Sequence, residues 1–462
     1  RAYLMEEIRK QGVALDHLDE YYNYLMQRLA QIAVDKGWDA SFVVDGDKNQ
    51  HQINDLQQSL NDSQIKKNSE TVSMRDFGGI ADGIFHPLSE KYATLSETKA
   101  KYPFVSALTQ SLDWAALQLA VDSVAAGTQI DVWDYITDEP VYVNKKIKFN
   151  FKNSITEIEQ LNFNKPIFAI QSKNVTSSGK LKGIYKGPRN TALLVLPTSP
   201  QMRLSNYYNL FSGAARILST VVSTQGDVSG LDFERIDSDG FFAGSIVNGN
   251  KNSATDTDSD NIKVGEINTT NTDWGVVPVG FKSMRIDVLR ARNIQNIYPA
   301  DPSHAIYVSP RAAGVMNGSL SIGLLDVQNC THTTGKVDKD AFSIRSTKFA
   351  NIERLIIDDA SFVGNTRDSA ILEINSLIAN LKASASVGEI TFALSAQSGS
   401  RIVINNIDLT SRNASDNSFA NPIFQHSGTN STIEIKSGKI QVLGANPSHI
   451  SYGTGGKLTV VD

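Results

Sequence analysis

Four carboxylates crowd one short stretch of the chain, Asp232, Glu234, Asp237 and Asp239. Paired carboxylates suit general acid and base work. To split a glycosidic bond they must stand about 5 to 5.5 Å apart when configuration is retained, or roughly 6.5 to 9.5 Å apart when it is inverted. Asp232 and Glu234 alternate with Leu231 and Phe233, which places both on the outward side of a strand; Asp237 and Asp239 are expected in the turn that follows. The bland alternative is a solvated acidic face.

A second constellation gathers His304 and Asp340, with Asp301 and Asp338 just ahead of each. A carboxylate one turn from an imidazole raises its pKa and makes an acid/base pair. Against this, inward Ile306 and Val308 would carry His304 inward with them, as a histidine satisfied at a strand end. Tyr307, Ser343 and Arg345 are the outward neighbours, and a tyrosine with an arginine can hold an acidic sugar by stacking and a bidentate carboxylate contact. Trp274 and Tyr298 are sugar platforms or anchors of their own loops. Arg345 with His304 or Tyr307 would also serve β-elimination beside a uronate carboxylate, with one group removing the proton and the other steadying the charge. Asp358, Asp359, Arg367, Asp368 and Glu373 form a third charged group with no clear groove. No Gly-x-Ser-x-Gly elbow stands near a His and Asp pair, which weakens an esterase reading. Cys330, the single cysteine, follows an apolar run and is expected to be a buried, inert thiol.

These residues need a scaffold, and a repeated short pattern supplies it. Gly230-Leu-Asp-Phe-Glu-Arg-Ile236, Asn261-Ile-Lys-Val-Gly-Glu-Ile267, Ser283-Met-Arg-Ile-Asp-Val288, Ser319-Leu-Ser-Ile-Gly-Leu324, Asn351-Ile-Glu-Arg-Leu-Ile-Ile357, Arg401-Ile-Val-Ile-Asn-Asn-Ile407 and Thr432-Ile-Glu-Ile-Lys436 each alternate apolar and polar residues as strands do. Their starts lie about 22 to 36 residues apart, with one gap near 50, the period of a solenoid whose turns bury their apolar faces by stacking. A second ladder is expected through Asp239-Gly-Phe-Phe242, His304-Ala-Ile-Tyr307, Asp340-Ala-Phe-Ser343 and Ser369-Ala-Ile-Leu372, which would align Asp239, His304, Asp340 and Ser369 in one column. Two ladders per turn describe a mainly β fold, a parallel β-helix.

Composition narrows the function. Hydrophobic residues make up 40% and charged residues 20% of 462, so the bulk is neither disordered nor membrane-embedded, and no apolar run approaches the length of a bilayer span. The net charge of −5, without Lys and Arg clusters, argues against nucleic acid as a partner. No zinc-ligand spacing is present, and neither a metal nor a cofactor is expected. Near the N-terminus, Leu4, Ile8, Gln11, Leu15, Leu18, Tyr22, Leu25, Leu29 and Ile32 trace an a/d seam, which favours a helical bundle between chains over a lone helix on its own domain. Ser41-Phe-Val-Val44 reads as a short strand before an Asp45-Gly46 turn, and the polar stretch 61–70 as a linker.

Beyond it come Asp76-Phe77-Gly78-Gly79, Asp82-Gly83 and a helix over 111–124 for which Asp113 is a candidate N-cap, suited to covering the open end of a solenoid. These residues resemble the N-terminal signature of pectate-lyase-like right-handed β-helix proteins. Tyr102-Pro-Phe-Val-Ser-Ala-Leu108 and Gly37-Trp-Asp-Ala-Ser-Phe-Val-Val-Asp-Gly46 resemble the capsule-degrading tailspikes of bacteriophages. The likeness covers roughly residues 1–145 and implies a homotrimer on the virion tail, held to other tail proteins through its N-terminus. It also implies a depolymerase acting outside the host cell on bacterial capsular polysaccharide; a purely adhesive spike would carry the same coils. The expected domains are a helical neck over 1–70, a cap over 71–128, the catalytic β-helix over 129–445 and a short C-terminal end over 446–462. Glu234, Asp237 and Asp239 are the first catalytic candidates, followed by Asp301, His304 and Asp340.

Overall fold

The computed structural model describes residues 18–35, a few positions between 44 and 58, and most of 70–461; the longer stretches outside it are 186–191, 197–202, 212–219, 241–245, 249–257, 295–302, 331–338, 383–393, 413–423 and 444–450. The chain divides into two compact units, Arg1–Thr71 and Val72–Asp462. In the first, Leu18–Asp35 is one helix, and Val44–Asp45 pairs antiparallel with Lys48–Asn49. Leu29 of the a/d stripe stays 37% exposed on this helix, and the earlier seam positions Leu4 to Leu15 lie outside the described residues. No described helix is long and apolar enough to cross a membrane.

The second unit begins with the cap. Gly78 takes a left-handed φ of 102° that closes a short helical turn at Met74–Phe77, and helix Leu112–Ser123 follows. Its N-cap is Ser111, whose Oγ accepts from Trp114 N and donates to Ile136 O. Asp113 is therefore not the cap. Its Oδ1 reaches out of the helix to accept the backbone N–H groups of Ile80 (2.6 Å) and Ala81 (3.0 Å), pinning the glycine-rich loop to the helix. Leu112, Trp114, Ala115, Leu117 and Val121 are buried beneath it.

From residue 129 the chain alternates between two parallel sheets. Among the described residues the first holds 19 strands and the second 12. Each passage lays one strand beside its predecessor in each sheet. Ile262–Thr270, Ser283–Arg292, Asn317–Cys330, Thr347–Ala360, Ile371–Lys382 and Arg401–Arg412 follow one another in the first. Trp274–Val277, Ser303–Val308, Lys339–Arg345, Gly364–Arg367, Leu394–Gln397 and Phe424–Ser427 do so in the second. The expected C-terminal end continues both ladders, with Ser451–Thr454 beside Phe424–Ser427 and Lys457–Val460 beside Thr432–Ile435.

In-register stacking makes the core from columns of like residues. Val264, Ile286, Ile322, Ile352, Ile374 and Ile404 form one, and Ile267, Leu289, Leu325, Leu355, Leu377 and Ile407 another, all at most 1% exposed. A fully buried side chain of this size contributes roughly 1.5–3 kcal/mol, and each new coil repeats it.

Between those columns strict alternation fails. Seven first-sheet strands, from Asp232–Asp239 to Arg401–Arg412, have two consecutive outward positions there: Glu234-Arg235, Gly265-Glu266, Asp287-Val288, Gly323-Leu324, Glu353-Arg354, Asn375-Ser376 and Asn405-Asn406. The first of each pair drops out of the ladder register, so the strand turns a corner. Gly265 and Gly323 sit where a Cβ would meet a carbonyl oxygen of the preceding coil at 2.5 Å. A second corner, at the exit of this sheet, is held by Asn271, Asn293 and Asn329. Each has φ of 54–55°, a left-handed conformation that asparagine tolerates. Asn293 Nδ2 donates to Asn271 Oδ1 (3.3 Å), and Asn329 donates on to Asn293.

Two expected placements change. Asp239 ends a first-sheet strand and Ser369 precedes one, so neither belongs to the column of His304 and Asp340, which are direct partners in the second sheet. Within the segment 245–260, rich in Asn, Ser, Thr and Asp, Ile246–Asn248 is a second-sheet strand.

Candidate functional site

Strand Asp232–Asp239 runs through the corner, and Asp237 and Asp239 lie on it, not in a following turn. Phe233, Ile236 and Ser238 are buried, which leaves Asp237 and Asp239 on the outward side, half-buried, while Glu234 is exposed at the corner itself. Alternate residues on one strand face are roughly 6.7 Å apart at their Cα atoms. Arg235 donates to both oxygens of Asp237, through Nε (2.8 Å) and Nη2 (3.1 Å), and through Nη1 to Glu266 of the next coil (3.3 Å). Asn268 bridges the same carboxylates, at 2.6 Å from Asp237 and 3.2 Å from Glu266. Arg290, another coil on, pairs with Glu266. The contact with Asp237 holds the Arg235 guanidinium above its ordinary pKa.

Register makes this network. Arg235 stands opposite Glu266, and Asp237 opposite Asn268 and then Arg290. Glu266 was quoted in the sequence as part of a strand and not as an acid of the site. Only the one-to-one pairing brings it beside Asp237, although Glu234-Arg235 and Gly265-Glu266 share their place in the repeat. Arg235 is 43% exposed and Glu266 28%, so each ion pair by itself contributes about 0–1 kcal/mol; the arrangement positions carboxylates more than it stabilises the coil.

The second sheet assembles four of the other candidates. Trp274 is the register partner of His304, and its ring lies 5.5 Å from that of Tyr307. The His304 ring stacks on Tyr307 at 5.2 Å and 10°. Arg345 Nη1 donates to Tyr307 Oη (3.3 Å), while its Nε and Nη2 hold Asp368 at 2.9 Å each. His304 is only 2% exposed, and burial, with the Arg367 charge second, pushes its pKa down to about 3. The ring is thereby held neutral at physiological pH, opposite to the raised pKa expected of a histidine one turn from Asp340, its register partner on the next coil. Tyr298 and Asp301 lie outside the described residues, as does Asp338.

The third charged group does not hold together. Asp358 accepts from Asn380 (2.9 Å) and Glu373 from Asn405 (2.8 Å) on the first sheet, whereas Arg367 and Asp368 stand at the end of a second-sheet strand. Cys330 is fully buried at the end of its strand. Among the described residues no group of three or more His, Cys, Asp or Glu side chains is arranged to hold a metal ion.

The two clusters meet at the asparagine corner. Asn271 Nδ2 donates to Asp239 Oδ1 (2.7 Å), and three residues later the chain reaches Trp274, at most about 11 Å away along the backbone. Asp239 thus lies against the turn whose far end carries Trp274, the ring neighbour of Tyr307.

No protein-family model and no curated protein matches the sequence. Two solved structures are similar to the chain. The tailspike gp61 of Pseudomonas phage phi297 is 13% identical over 80% of this chain and 75% of that one, with a TM-score of 0.36. The tailspike protein gp49 of Pseudomonas phage LKA1 is 13% identical over 85% of this chain and 81% of that one, with a TM-score of 0.38.

Proposed function

We propose that this chain is the subunit of a trimeric bacteriophage tailspike. Its coils close as a right-handed parallel β-helix that binds the host's capsular polysaccharide and cuts it by glycosidic hydrolysis. The tailspike assignment is supported by the N-terminal motifs read from the sequence and by the alternation of two parallel ladders. Residues 1–70 would hold the spike to the virion tail, and the face of helix Leu18–Asp35 that carries Tyr22, Leu25 and the exposed Leu29 is the surface on which three copies would meet.

The observation that carries the chemistry is the hydrogen bond from Asn271 to Asp239, which sets an acidic strand end against the turn leading to Trp274. Asp237 and Asp239 are the carboxylate pair, with Glu234 at the open corner and Glu266 beside Asp237. Their strand spacing suits the two-carboxylate chemistry of glycosidases. Trp274 and Tyr307 form the sugar platform.

Release of reducing ends from purified capsule, without ultraviolet absorption from an unsaturated product, is the expected result. The contact of Arg345 with Tyr307 favours one second reading, in which Tyr307 removes the proton beside a uronate carboxylate and Arg345 neutralises it. Unsaturated product would establish that reading in place of hydrolysis, and binding with no cleavage of any host capsule would leave an adhesin.

A further inference from the structure

Arg345 and Arg367 are direct partners on adjacent second-sheet strands, which sets two guanidinium-bearing positions about 4.8 Å apart at the backbone. Like charges so close call for an anion. Asp368 is held by Arg345. Arg367 forms no ion pair among the described residues, and its Nε is buried without a hydrogen-bond partner there. The positions two residues earlier on these strands are Ser343 and Asn365, hydrogen-bonded to one another, so no charge arrives from that side. His304, close enough to feel Arg367, is buried and neutral.

The surroundings fit a particular anion. Arg345 touches Tyr307, whose ring faces Trp274, so the arginine that partners Arg367 lies beside an aromatic surface suited to a sugar ring. The side chains of Arg345 and Asp368 are each 36% exposed, and a water-exposed pair of this kind exchanges readily for a ligand carboxylate. A guanidinium fork matches a carboxylate with two parallel N–H donors.

We infer that Arg345 and Arg367, beside the Trp274–Tyr307 pair, form a subsite for a carboxylate-bearing sugar, so that the polymer bound is an acidic polysaccharide carrying a uronate or a comparable carboxyl group. This rests on the depolymerase reading above and adds the class of substrate. In it, Arg367 supplies donors that no described protein group engages, and Arg345 turns from Asp368 to share the same anion.

The test uses the full-length wild-type protein on a panel of purified capsular polysaccharides, some neutral and some uronate-bearing. Each acidic polymer is tested both native and with its carboxyl groups reduced to alcohols. Cleavage of native acidic polymers, with KM raised about tenfold or more once their carboxyl groups are reduced, is expected. Arg367→Gln should raise KM on the native polymer about tenfold while kcat stays within roughly threefold, and should behave as wild type does on the reduced polymer. Arg367→Lys, which keeps the charge and loses the fork, should fall between them. If Arg367→Gln fails to fold, the wild-type comparison of native with reduced polymer still decides. Equal cleavage of native and reduced polymer, or cleavage of neutral polymers only, would overturn the subsite and leave the depolymerase reading standing. Failure to bind or cut any polymer in the panel would overturn both.

Discussion

Replacing Asp237 by Asn separates a catalytic carboxylate from a structural one. The substitution keeps the shape of the side chain and removes its charge. In the fold Asp237 serves Arg235, which is 43% exposed, and Asn268, which an amide oxygen can still accept. The ion pair lost is a surface one, so the structural cost is about 0–1 kcal/mol. If Asp237 acts as acid, base or nucleophile on the glycosidic bond, removing its proton chemistry costs about 10²–10⁴ in rate, or roughly 2.7–5.4 kcal/mol of barrier. The two scales differ enough to be told apart. The assay is reducing-end release over time, run beside a thermal melt and a binding titration with the same capsule. A rate at least a hundredfold lower with unchanged Kd and nearly unchanged Tm is expected. Arg235→Gln is the control, since it breaks the same ion pair and leaves the carboxylate, and it should lose only a few-fold in rate. If Asp237→Asn and Arg235→Gln slow cleavage by the same small factor, Asp237 is a structural partner of Arg235 and the catalytic assignment is wrong.

Three further outcomes follow from other parts of the molecule. Trp274→Ala should weaken capsule binding by about tenfold, the scale of one lost aromatic contact, and tryptophan fluorescence titration measures it; unchanged affinity would remove Trp274 from the platform. In the cap, His86 lies between Glu90 (2.7 Å) and Asp82 (3.2 Å), and the hydrogen bond that its Nδ1 donates to Glu90 chiefly raises its pKa above 6.5. A raised folded pKa gives stability that is fully present below pH 6.5 and fades as pH rises through the folded value. The Tm advantage of wild type over His86→Gln should therefore be larger at pH 6 than at about pH 8.5, and an advantage equal at both would contradict the assignment. A Cβ on Gly318 would stand 1.9 Å from Lys282 O, a backbone atom of the neighbouring coil. Gly318→Ala should cost about 1–3 kcal/mol or more and lower Tm or folded yield, and a melt identical to wild type would show that the coils shift to admit it.

Much of the scaffold was legible before any coordinates. The segments beginning at Asn261, Ser283, Ser319, Asn351 and Arg401 are strands, because their apolar residues recur at a spacing that only a pleated, one-sided burial explains. The corner was written there too, as an apolar residue, two outward ones and another apolar residue in Phe233 to Ile236, Val264 to Ile267 and Ile352 to Leu355, but it passes for imperfect alternation until the register is known. The left-handed corner asparagines Asn271, Asn293 and Asn329 gave a turn signal of the same kind. The second ladder was misread at both ends. Asp239 and Ser369 carry the right local pattern, small residue then bulky ones, yet which sheet a short apolar segment joins depends on the length of chain between corners.

The candidate site divides in the same way. Trp274, Tyr307 and Arg345 were chosen for chemical type alone, and the fold places them in one cluster with His304. Asp237, Asp239 and Glu234 share a strand as their closeness in sequence requires. The amino-acid pattern by itself determined that the chain coils, which residues of the repeated strands face inward, and that acids such as Asp232 and Glu234 face outward, because burial of apolar area is a local and periodic demand. Only the tertiary structure decided that Glu266 joins Asp237, that Asp368 occupies Arg345, that Arg367 stands beside Arg345, and that His304 is buried against Tyr307 with its pKa lowered. Those facts depend on which residue of one coil lies over which residue of the next. That register is set by the lengths of the intervening turns and loops, a quantity that no short stretch of sequence contains.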